Sequence, residues 1–277
     1  MSSSSPSDPA TSEPGEAERG RLLLDEPAPG VARLTIHNVA KRGALDHTIL
    51  GAFATIVPEL DARCLIITGE GIMFSSGYDL RGVNAPLVGD DAERLIAHPF
   101  HAALQAIEDY PYPTIAVLNG HAIGGGLELA ITCDLRIAAD TIRVGMPPAK
   151  LGLIYSHTGI RKFLDTVGAA RTRELFLTGR RFDARTALEW DLINELTQPE
   201  ALAEYALGLA REIAANAPLA QAGNKRVINE LLASDGRLAP DLEQELIDLR
   251  IGCFYTEDFA EGVSAFADRR APQFQGR

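Results

Sequence analysis

The chain has 277 residues, of which 46% are hydrophobic and 23% charged, and its formal net charge is −12. This length allows one large domain with a buried core, and an acidic chain without a dense run of lysine and arginine is a poor non-specific binder of nucleic acid or anionic membranes. No run of about 18 apolar residues and no secretory signal at residues 1–20 is present, so we expect a cytoplasmic protein without a membrane or nucleic-acid partner.

The first segment, MSSSSPSDPATSEPGEAERG, combines serine, proline and glutamate with almost no large apolar side chain. Such a segment buries too little surface to offset the entropy lost on ordering. We therefore predict a disordered tail over residues 1–20.

Short apolar runs then alternate with helical patterns. VARLTI (31–36) and CLIIT (64–68) predict strands, and IVPEL (56–60) indicates the end of a helix between them. Later, TIAVLN (114–119) predicts a buried strand, and a glycine segment, an apolar helix LELAITC (127–133) and a strand DLRIAAD (134–140) follow it. This alternation predicts an α/β fold.

The pattern becomes helical after about residue 160, through stretches such as ALAEYALGLAREIAANA. Ala217-Pro218 and the Ser234-Asp235-Gly236 turn interrupt it. We expect a layer of helices over the C-terminal third. The three cysteines, Cys64, Cys133 and Cys253, lie among apolar residues without metal-binding spacing, so we expect reduced thiols and no metal site.

The segment ITGEGIMFSSGYDLRG (67–82) is the first that can carry chemistry. Its strand ends at Thr68, glycines turn the chain, and Gly77-Tyr78-Asp79 is expected to open a helix. In the simplest interpretation Asp79 caps that helix and Tyr78 is a core or surface aromatic residue.

The segment NGHAIGGGLELAITCDL (119–135) is the second. Three glycines after a strand allow close approach to a ligand, and a helix start directs N–H groups and a positive dipole end towards it, which favours an oxyanion. Glu128 lies one turn inside this otherwise apolar helix, where an unpaired carboxylate is costly. Glu128 is therefore either an acid or base beside the oxyanion, or a glutamate paired with arginine or backbone groups.

The segment VGMPPAKLGLIYSHTGIRKFL (144–164) is the third. Its prolines and glycines predict a structured loop, a common location for catalytic side chains. Tyr155, Ser156 and His157 are the candidates, although a histidine in such a loop also serves as a helix cap or a surface residue.

Together these segments resemble the enoyl-CoA hydratase/isomerase (crotonase) superfamily from about residue 21 to the C-terminus. FSSGYDL and GHAIGGGLE are similar to the two oxyanion segments of that family. The stretch TGRRFDARTALEWDLINEL (178–196) and the ending TEDFAEGVSAFADRRAPQF are also similar to it.

The resemblance implies a spiral of ββα turns over residues 21–210, a helical trimerisation region over residues 211–277, and trimers that often pair into hexamers. It implies an acyl-CoA substrate, with CoA as part of the substrate and no separate cofactor. The oxyanion donors would be the backbone N–H groups of Tyr78 and Gly125. The positions that match CoA contacts are Lys41, Arg42 and Ala44 in the AKRGAL loop, and Phe266 and Arg269 near the C-terminus.

One catalytic position departs from the family. Hydratases use two glutamates, and Glu128 matches the first, but the second position, within roughly PExxLG, is Pro148 here. Proline is neither acid nor base, which disfavours two-carboxylate hydration and also isomerase chemistry that depends on that position. PAKLGLIYSHTGI instead resembles the methylmalonyl-CoA decarboxylase pattern PxxLGxxYxxxGI, with Tyr155 as the key match, although that branch has histidine where Tyr78 stands.

We therefore expect an acyl-CoA lyase that works through a stabilised enolate, with decarboxylation favoured and with Glu128 and Tyr155 flanking the α carbon. One alternative is a hydratase or isomerase in which Glu128 suffices, assisted by Tyr155 or His157. Another is a non-catalytic member that binds acyl-CoA or RNA, the acidic charge disfavouring RNA. Residues 82–98 are expected to form the walls of the acyl pocket.

Overall fold

The computed structural model of the protein describes residues 20–79, 98–234 and 237–277. Residues 1–19 of the predicted tail, residues 82–97 of the predicted pocket wall and Asp235-Gly236 of the predicted turn lie outside this part of the chain. The strands are β1 (Arg21–Ala28), β2 (Val31–His37), β3 (Ala44–Leu45), β4 (Cys64–Gly69), β5 (Met73–Ser75), β6 (Gly77–Tyr78), β7 (Thr114–Leu118), β8 (His121–Ile123), β9 (Leu135–Ala139), β10 (Arg143–Gly145), β11 (Arg181–Asp183) and β12 (Glu195–Thr197).

Within the described residues, helices lie between strands in the first half of the chain and dominate its second half. They are α1 (His47–Ile56), α2 (His98–Glu108), α3 (Gly125–Thr132), α4 (His157–Thr178), α5 (Ala184–Glu189), α6 (Pro199–Ala215), α7 (Pro218–Ala233), α8 (Pro240–Cys253) and α9 (Glu257–Asp268). Short 3-10 helices span Val39–Lys41, Val57–Glu59 and Pro148–Leu151.

Two sheets organise the body of the protein. The larger has the order β1-β2-β4-β7-β9-β12, and the smaller has the order β11-β10-β8-β5. Strand β1 is antiparallel to β2 and β11 is antiparallel to β10, whereas the remaining neighbours in both sheets are parallel. In both sheets, the order of the strands in space is therefore their order along the chain.

The core lies on both faces of the larger sheet. All five residues of β7 are buried, as expected of a parallel strand that is covered on each side. Helix α6 packs across β4, β7 and β9, and α1 packs against α2. Helix α3 packs mainly against α4, β6 and β8, and six of its eight residues are buried, Glu128 among them.

Helix α4 begins and ends at defined residues. The Ser156 side chain accepts a hydrogen bond from the amide of Gly159 at the start, and Gly179 adopts the left-handed conformation at the end. Within the helix, Gly168 has φ 71° and ψ 173°, which is not helical. Helix α4 therefore consists of two helical pieces, and the first of them carries Gly159.

The structure confirms the predicted strands at residues 31–36, 64–68, 114–119 and 134–140, the helix end near Ile56 and the helical C-terminal third. The residues after Asp79 lie outside the described part of the chain, but the expectation of a helix is wrong at Gly77-Tyr78. These residues form β6, which pairs with Ala44-Leu45, and the Asp79 amide donates to the Leu45 oxygen over 3.1 Å. Pairing with a distant strand overrides the local turn signal.

Two further expectations can be compared with the described residues. Cys64 and Cys133 are buried free thiols, whereas Cys253 is half-buried. In the part of the chain that the structure describes, no helix has the length and apolar character needed to cross a membrane.

Candidate active site

Two glycine-containing segments run against each other, backbone to backbone. A Cβ atom placed on Gly126 would lie 2.5 Å from the Ser75 oxygen, and one placed on Gly77 would lie 2.8 Å from the Ile123 oxygen. Gly77 also has a φ of 93°, a conformation that disfavours residues with a side chain. Only glycine allows this contact between the first and second segments.

The contact brings the main-chain nitrogens of Tyr78 and Gly125 close together. The Tyr78 nitrogen lies 3.5 Å from the position that a Cβ atom on Gly125 would occupy. Gly125 is the first residue of α3, where N–H groups have no partner within the helix and the helix dipole has its positive end. This place suits a negatively charged oxygen, while the roles of both amides as oxyanion donors stay predictions.

The Tyr78 side chain is held by α1. Its hydroxyl oxygen lies 3.0 Å from His47 Nε2, and the two rings meet edge to face with centroids 6.0 Å apart. Burial raises the pKa of the Tyr78 hydroxyl, and the charges of Asp79 and Asp46 raise it further. Sequence reasoning does not find His47, because no local pattern connects it with Tyr78.

The Glu128 carboxyl group is buried, with 3% of the residue exposed. Burial raises its pKa to about 7, against the opposing effect of a hydrogen bond from the Tyr155 hydroxyl to Oε2. Burial and the nearby Glu128 in turn raise the pKa of Tyr155 well above its usual value. The structure thus brings together the two side chains that the sequence proposes as a catalytic pair.

The alternative in which Glu128 pairs with arginine is not what the structure contains. No ion pair among the described residues includes Glu128. The buried Arg136 instead donates from Nε to the Leu192 oxygen over 2.9 Å and from Nη1 to the Cys133 oxygen over 2.7 Å. Glu128 is therefore an acid with a hydroxyl partner.

The first turn of α4 forms one wall of this pair. A Cβ atom on Gly159 would lie 2.8 Å from Glu128 Oε1 and 2.7 Å from Tyr155 Cε1, so the backbone of Gly159 contacts both side chains. Gly159 is missed as a site residue by sequence reasoning, although it is the second glycine of the motif PAKLGLIYSHTGI. The start of α4 thus fixes where the carboxyl group lies.

The other candidates of the third segment have different positions. Ser156 caps α4, and His157 is an exposed first residue of that helix. Pro148 is buried and begins the 3-10 helix Pro148–Leu151, a position that suits proline. At the place where the family pattern has its second glutamate, the chain therefore has a side chain without an ionisable group.

Three of the predicted CoA contacts share a cavity with Tyr78. This cavity has a volume of about 280 Å³ and is lined by Ala40, Lys41, Arg42, Ala44, Ser76, Tyr78 and Asp79. Lys41 Nζ lies 3.3 Å from Asp79 Oδ2, so part of its charge is balanced within the chain. Arg42 is exposed and adopts a left-handed φ of 57°.

Phe266 and Arg269 lie elsewhere. Phe266 is 88% exposed and borders a mostly apolar cavity of about 380 Å³ between α7, α8 and α9. Arg269 ends α9 with a left-handed φ of 54°. Within one chain, the structure does not place these two residues in the cavity of Lys41 and Tyr78.

Phe100 of α2 is a residue near the glycine segments that sequence reasoning misses. Its Cζ atom lies 3.0 Å from the Cβ position of Gly125. A phenylalanine in an amphipathic helix has the pattern of an ordinary core residue, so the sequence contains no signal of this contact.

Comparisons with known proteins place the chain among related sequences and structures. The model of the family described as enoyl-CoA hydratase/isomerase matches residues 26–277. A Bacillus subtilis protein named "Probable enoyl-CoA hydratase" is 36% identical over 252 residues, which cover 89% of this chain and 95% of that protein. The carnitinyl-CoA dehydratase of Citrobacter koseri is 35% identical over 224 residues, covering 79% of this chain and 83% of that enzyme.

A solved structure shows the same architecture. The crystal structure of an enoyl-CoA hydratase from Bacillus anthracis superposes with a TM-score of 0.85 at 27% identity, covering 93% of this chain and all of that one. Likeness over this length confirms the α/β fold that the sequence resemblance implies.

Proposed function

The chain belongs to the enoyl-CoA hydratase/isomerase family, and we propose that it is an acyl-CoA lyase that stabilises a thioester enolate and uses Glu128 as its acid–base group, with decarboxylation as the favoured reaction. The observation that supports this most directly is the Glu128 carboxyl group, which is buried, hydrogen-bonded to Tyr155 and raised in pKa to about 7. Such a group is partly protonated and partly ionised near neutral pH, so it can both give and take a proton.

The proposed reaction begins with the thioester carbonyl oxygen at the N–H groups of Tyr78 and Gly125. The bond between the α carbon and a substrate carboxylate breaks, carbon dioxide leaves, and the electron pair becomes the enolate. Two preorganised donors stabilise the charge on the oxygen, each contributing on the order of 3 kcal/mol. The α carbon then takes a proton.

Glu128 is the proposed source of that proton. A protonated Glu128 delivers it to the α carbon and becomes a carboxylate, which the Tyr155 hydroxyl stabilises through its hydrogen bond. Tyr155 stays protonated throughout because burial holds its pKa far above neutral. The next proton reaches Glu128 from solvent, so one acid completes the cycle and no second carboxylate is needed at Pro148.

A second candidate is hydration of an enoyl-CoA or the reverse dehydration. Its support is the names of two relatives, an enoyl-CoA hydratase and a carnitinyl-CoA dehydratase. In this case Glu128 exchanges protons with both the α carbon and the water, assisted by Tyr155 or by the exposed His157. A third possibility is acyl-CoA binding without chemistry. It predicts that the protein binds acyl-CoA without turnover and that Glu128→Gln leaves this binding intact.

The experiment that separates these candidates uses crotonyl-CoA, a longer enoyl-CoA, methylmalonyl-CoA and ethylmalonyl-CoA, with product masses followed over time. Loss of carbon dioxide without hydration supports the lyase, and addition of water to an enoyl-CoA supports the second candidate. Tyr155→Phe, which keeps the ring and removes the hydroxyl, should reduce turnover of the active substrate while CoA affinity is unchanged. Binding without turnover across the panel would contradict both reactions.

We also propose that the protein assembles as a homotrimer or a hexamer of two trimers, with Phe266 and Arg269 contacting CoA from a neighbouring copy. Support comes from the exposure of Phe266 and from its position in a cavity other than that of Lys41. Light scattering of the purified protein gives the mass that tests this proposal.

A further inference from the structure

Helix α2 presents one aromatic side chain to the start of α3. The Cζ and Cε2 atoms of Phe100 lie 3.0 Å and 3.2 Å from the position that a Cβ atom of Gly125 would occupy. The edge of the Phe100 ring therefore fills the space that a side chain at position 125 would take. Phe100 is partly buried and packs against the same core as Tyr78 and Tyr155.

The Phe100 ring and the Tyr78 amide both lie beside the start of α3. The Gly125 Cβ position that contacts Phe100 is also 3.5 Å from the Tyr78 nitrogen. A carbonyl oxygen bound by the amides of Tyr78 and Gly125 would lie about 2.9 Å from each nitrogen, and the carbonyl and α carbons would follow within about 3 Å of that oxygen. The first atoms of the acyl group must therefore pass close to the Phe100 ring.

The packing of α2 fixes the position of the ring. Ala103, Leu104 and Ile107, on the same side of the helix, are buried in the core, and α2 packs against α1. Rotating the helix to withdraw Phe100 would expose these side chains, which is unfavourable. Close-packed interiors adjust little, so a bulky ligand cannot simply displace the ring.

We propose that Phe100 is a specificity-determining residue that limits the size of the acyl group next to the thioester, so that acyl-CoAs with small substituents at the α carbon are selected over bulky α-branched ones. The inference rests on the proposed function only in requiring that the thioester carbonyl binds at Tyr78 and Gly125. It does not depend on which bond is then broken, and for decarboxylation it predicts that methylmalonyl-CoA is preferred to the bulkier ethylmalonyl-CoA.

Binding of saturated acyl-CoAs tests the proposal without any chemistry. The acyl groups of acetyl-, isobutyryl- and 2-ethylbutyryl-CoA have neither a double bond nor a carboxylate group, so neither proposed reaction consumes them. By calorimetry, we expect the protein to bind 2-ethylbutyryl-CoA at least about tenfold more weakly than acetyl-CoA, the scale at which a few carbon atoms are discriminated. Phe100→Ala should reduce this ratio to about twofold or less, and Phe100→Trp should increase it.

A matched control separates the specific effect from a loss of packing. Phe182 of β11 is also partly buried and contacts Trp190 with ring centroids 4.5 Å apart, and the atoms nearest the Gly125 Cβ position belong to Phe100 and Tyr78 instead. Phe182→Ala should leave the ratio of affinities unchanged, and free CoA should bind equally to every variant. Phe100→Leu provides a milder truncation in case Phe100→Ala does not fold.

An unchanged ratio in folded Phe100→Ala or Phe100→Leu, with CoA affinity intact, would overturn the proposal. A ratio that responds to Phe100 in a protein that turns over no acyl-CoA would retain this inference and reject the proposed lyase. A ratio that does not change in the Phe100 variants of an active enzyme would reject this inference and retain the proposed lyase.

Discussion

The start of α3 and the helices α7 to α9 differ in how far their side chains are buried. In α3, even the ionisable Glu128 is enclosed and has a hydroxyl partner within the same chain. In α7 to α9 and the turn between α8 and α9, large apolar side chains face outward, and Tyr255 of that turn and Phe266 of α9 are 86% and 88% exposed. The geometry of the first region is therefore complete in one chain, whereas the second has apolar surface that one chain does not cover.

The difference indicates that the region around α3 carries the chemistry and that the region of α7 to α9 binds a ligand or another copy. A buried carboxyl group with a shifted pKa has a cost in stability, and such groups are concentrated at functional sites. Exposed aromatic side chains have no such cost within the chain, and they acquire a role only when a ligand or another copy covers them. The two regions should thus respond differently to equivalent substitutions.

The largest difference is expected between two glutamates. Glu128→Gln keeps the shape of the side chain and removes its proton, so we expect turnover to fall by about 10²–10⁴-fold with CoA affinity unchanged. Glu245 of α8 is exposed and pairs with Arg226, and Glu245→Gln should leave turnover unchanged. Stopped-time assays of both variants measure the contrast, and equal activities would contradict the role of Glu128.

The pH dependence of stability should have opposite signs in the two regions. Burial raises the pKa of Glu128 from 4.5 to about 7, so the folded state binds more protons than the unfolded state across that window. The free energy of unfolding should therefore fall by about 3 kcal/mol as the pH rises from 4.5 to 7, and Glu128→Gln should remove that loss.

Glu261 of α9 provides the opposite case. Hydrogen bonds from Arg270 and from the Gln273 amide lower its pKa to about 2, so its contribution is present above its ordinary pKa and is lost as the pH falls towards 2. Urea unfolding of Glu128→Gln and Glu261→Gln between pH 3 and pH 8 separates the two slopes. If Glu128→Gln and the unaltered protein have parallel profiles, the carboxyl group is not buried in the way described.

Glycine-to-alanine substitutions compare the packing of the regions. Gly159→Ala places a methyl group 2.7 Å from the Tyr155 ring and 2.8 Å from Glu128 Oε1, and it must separate that pair. Overpacking of this kind costs about 1–3 kcal/mol, so we expect turnover to fall by roughly 10- to 100-fold. Steady-state kinetics with the active substrate measure the loss.

The control is Gly252→Ala in α8. Apart from its chain neighbours and the backbone of its own helix, no atom lies within 4 Å of a Cβ atom at this position, and alanine favours the helix by up to about 1 kcal/mol. We expect a small rise in thermal stability and unchanged turnover. Similar losses of activity in the two variants would mean that the packing around Gly159 has no special relation to the reaction.

The smallest effect is expected at Phe266, and it should alter binding rather than chemistry. Because this side chain is exposed in one chain, Phe266→Ala should leave thermal stability almost unchanged. If a neighbouring copy uses Phe266 to contact CoA, KM should rise by about tenfold with kcat retained. A fall in kcat at constant KM would place Phe266 in the chemistry instead.

The sequence identifies individual site residues better than it identifies the contacts between them. Glu128 is identifiable because a carboxylate inside an apolar helix is unusual, and the strands around it follow from their apolar runs. Its partner Tyr155 is identified by the motif in the third segment, whereas the close approach of Gly159 and the position of the Phe100 ring depend on how α2, α3 and α4 pack, which no local pattern encodes. The short strands β5, β6, β8, β10, β11 and β12 are unpredicted for the same reason, since their pairing is with distant segments.

The agreement between strand order and chain order has a consequence for synthesis. In both the larger and the smaller sheet, every new strand adds beside the strand of that sheet that preceded it, so none has to insert between two that are already paired. The sheets can therefore grow at one edge as the chain emerges from the ribosome, in keeping with N-terminal segments folding first. By the time residue 159 has been made, the strands that hold Tyr78 and Gly125 already have their neighbours, and Glu128 meets its hydroxyl partner on a framework that is largely built.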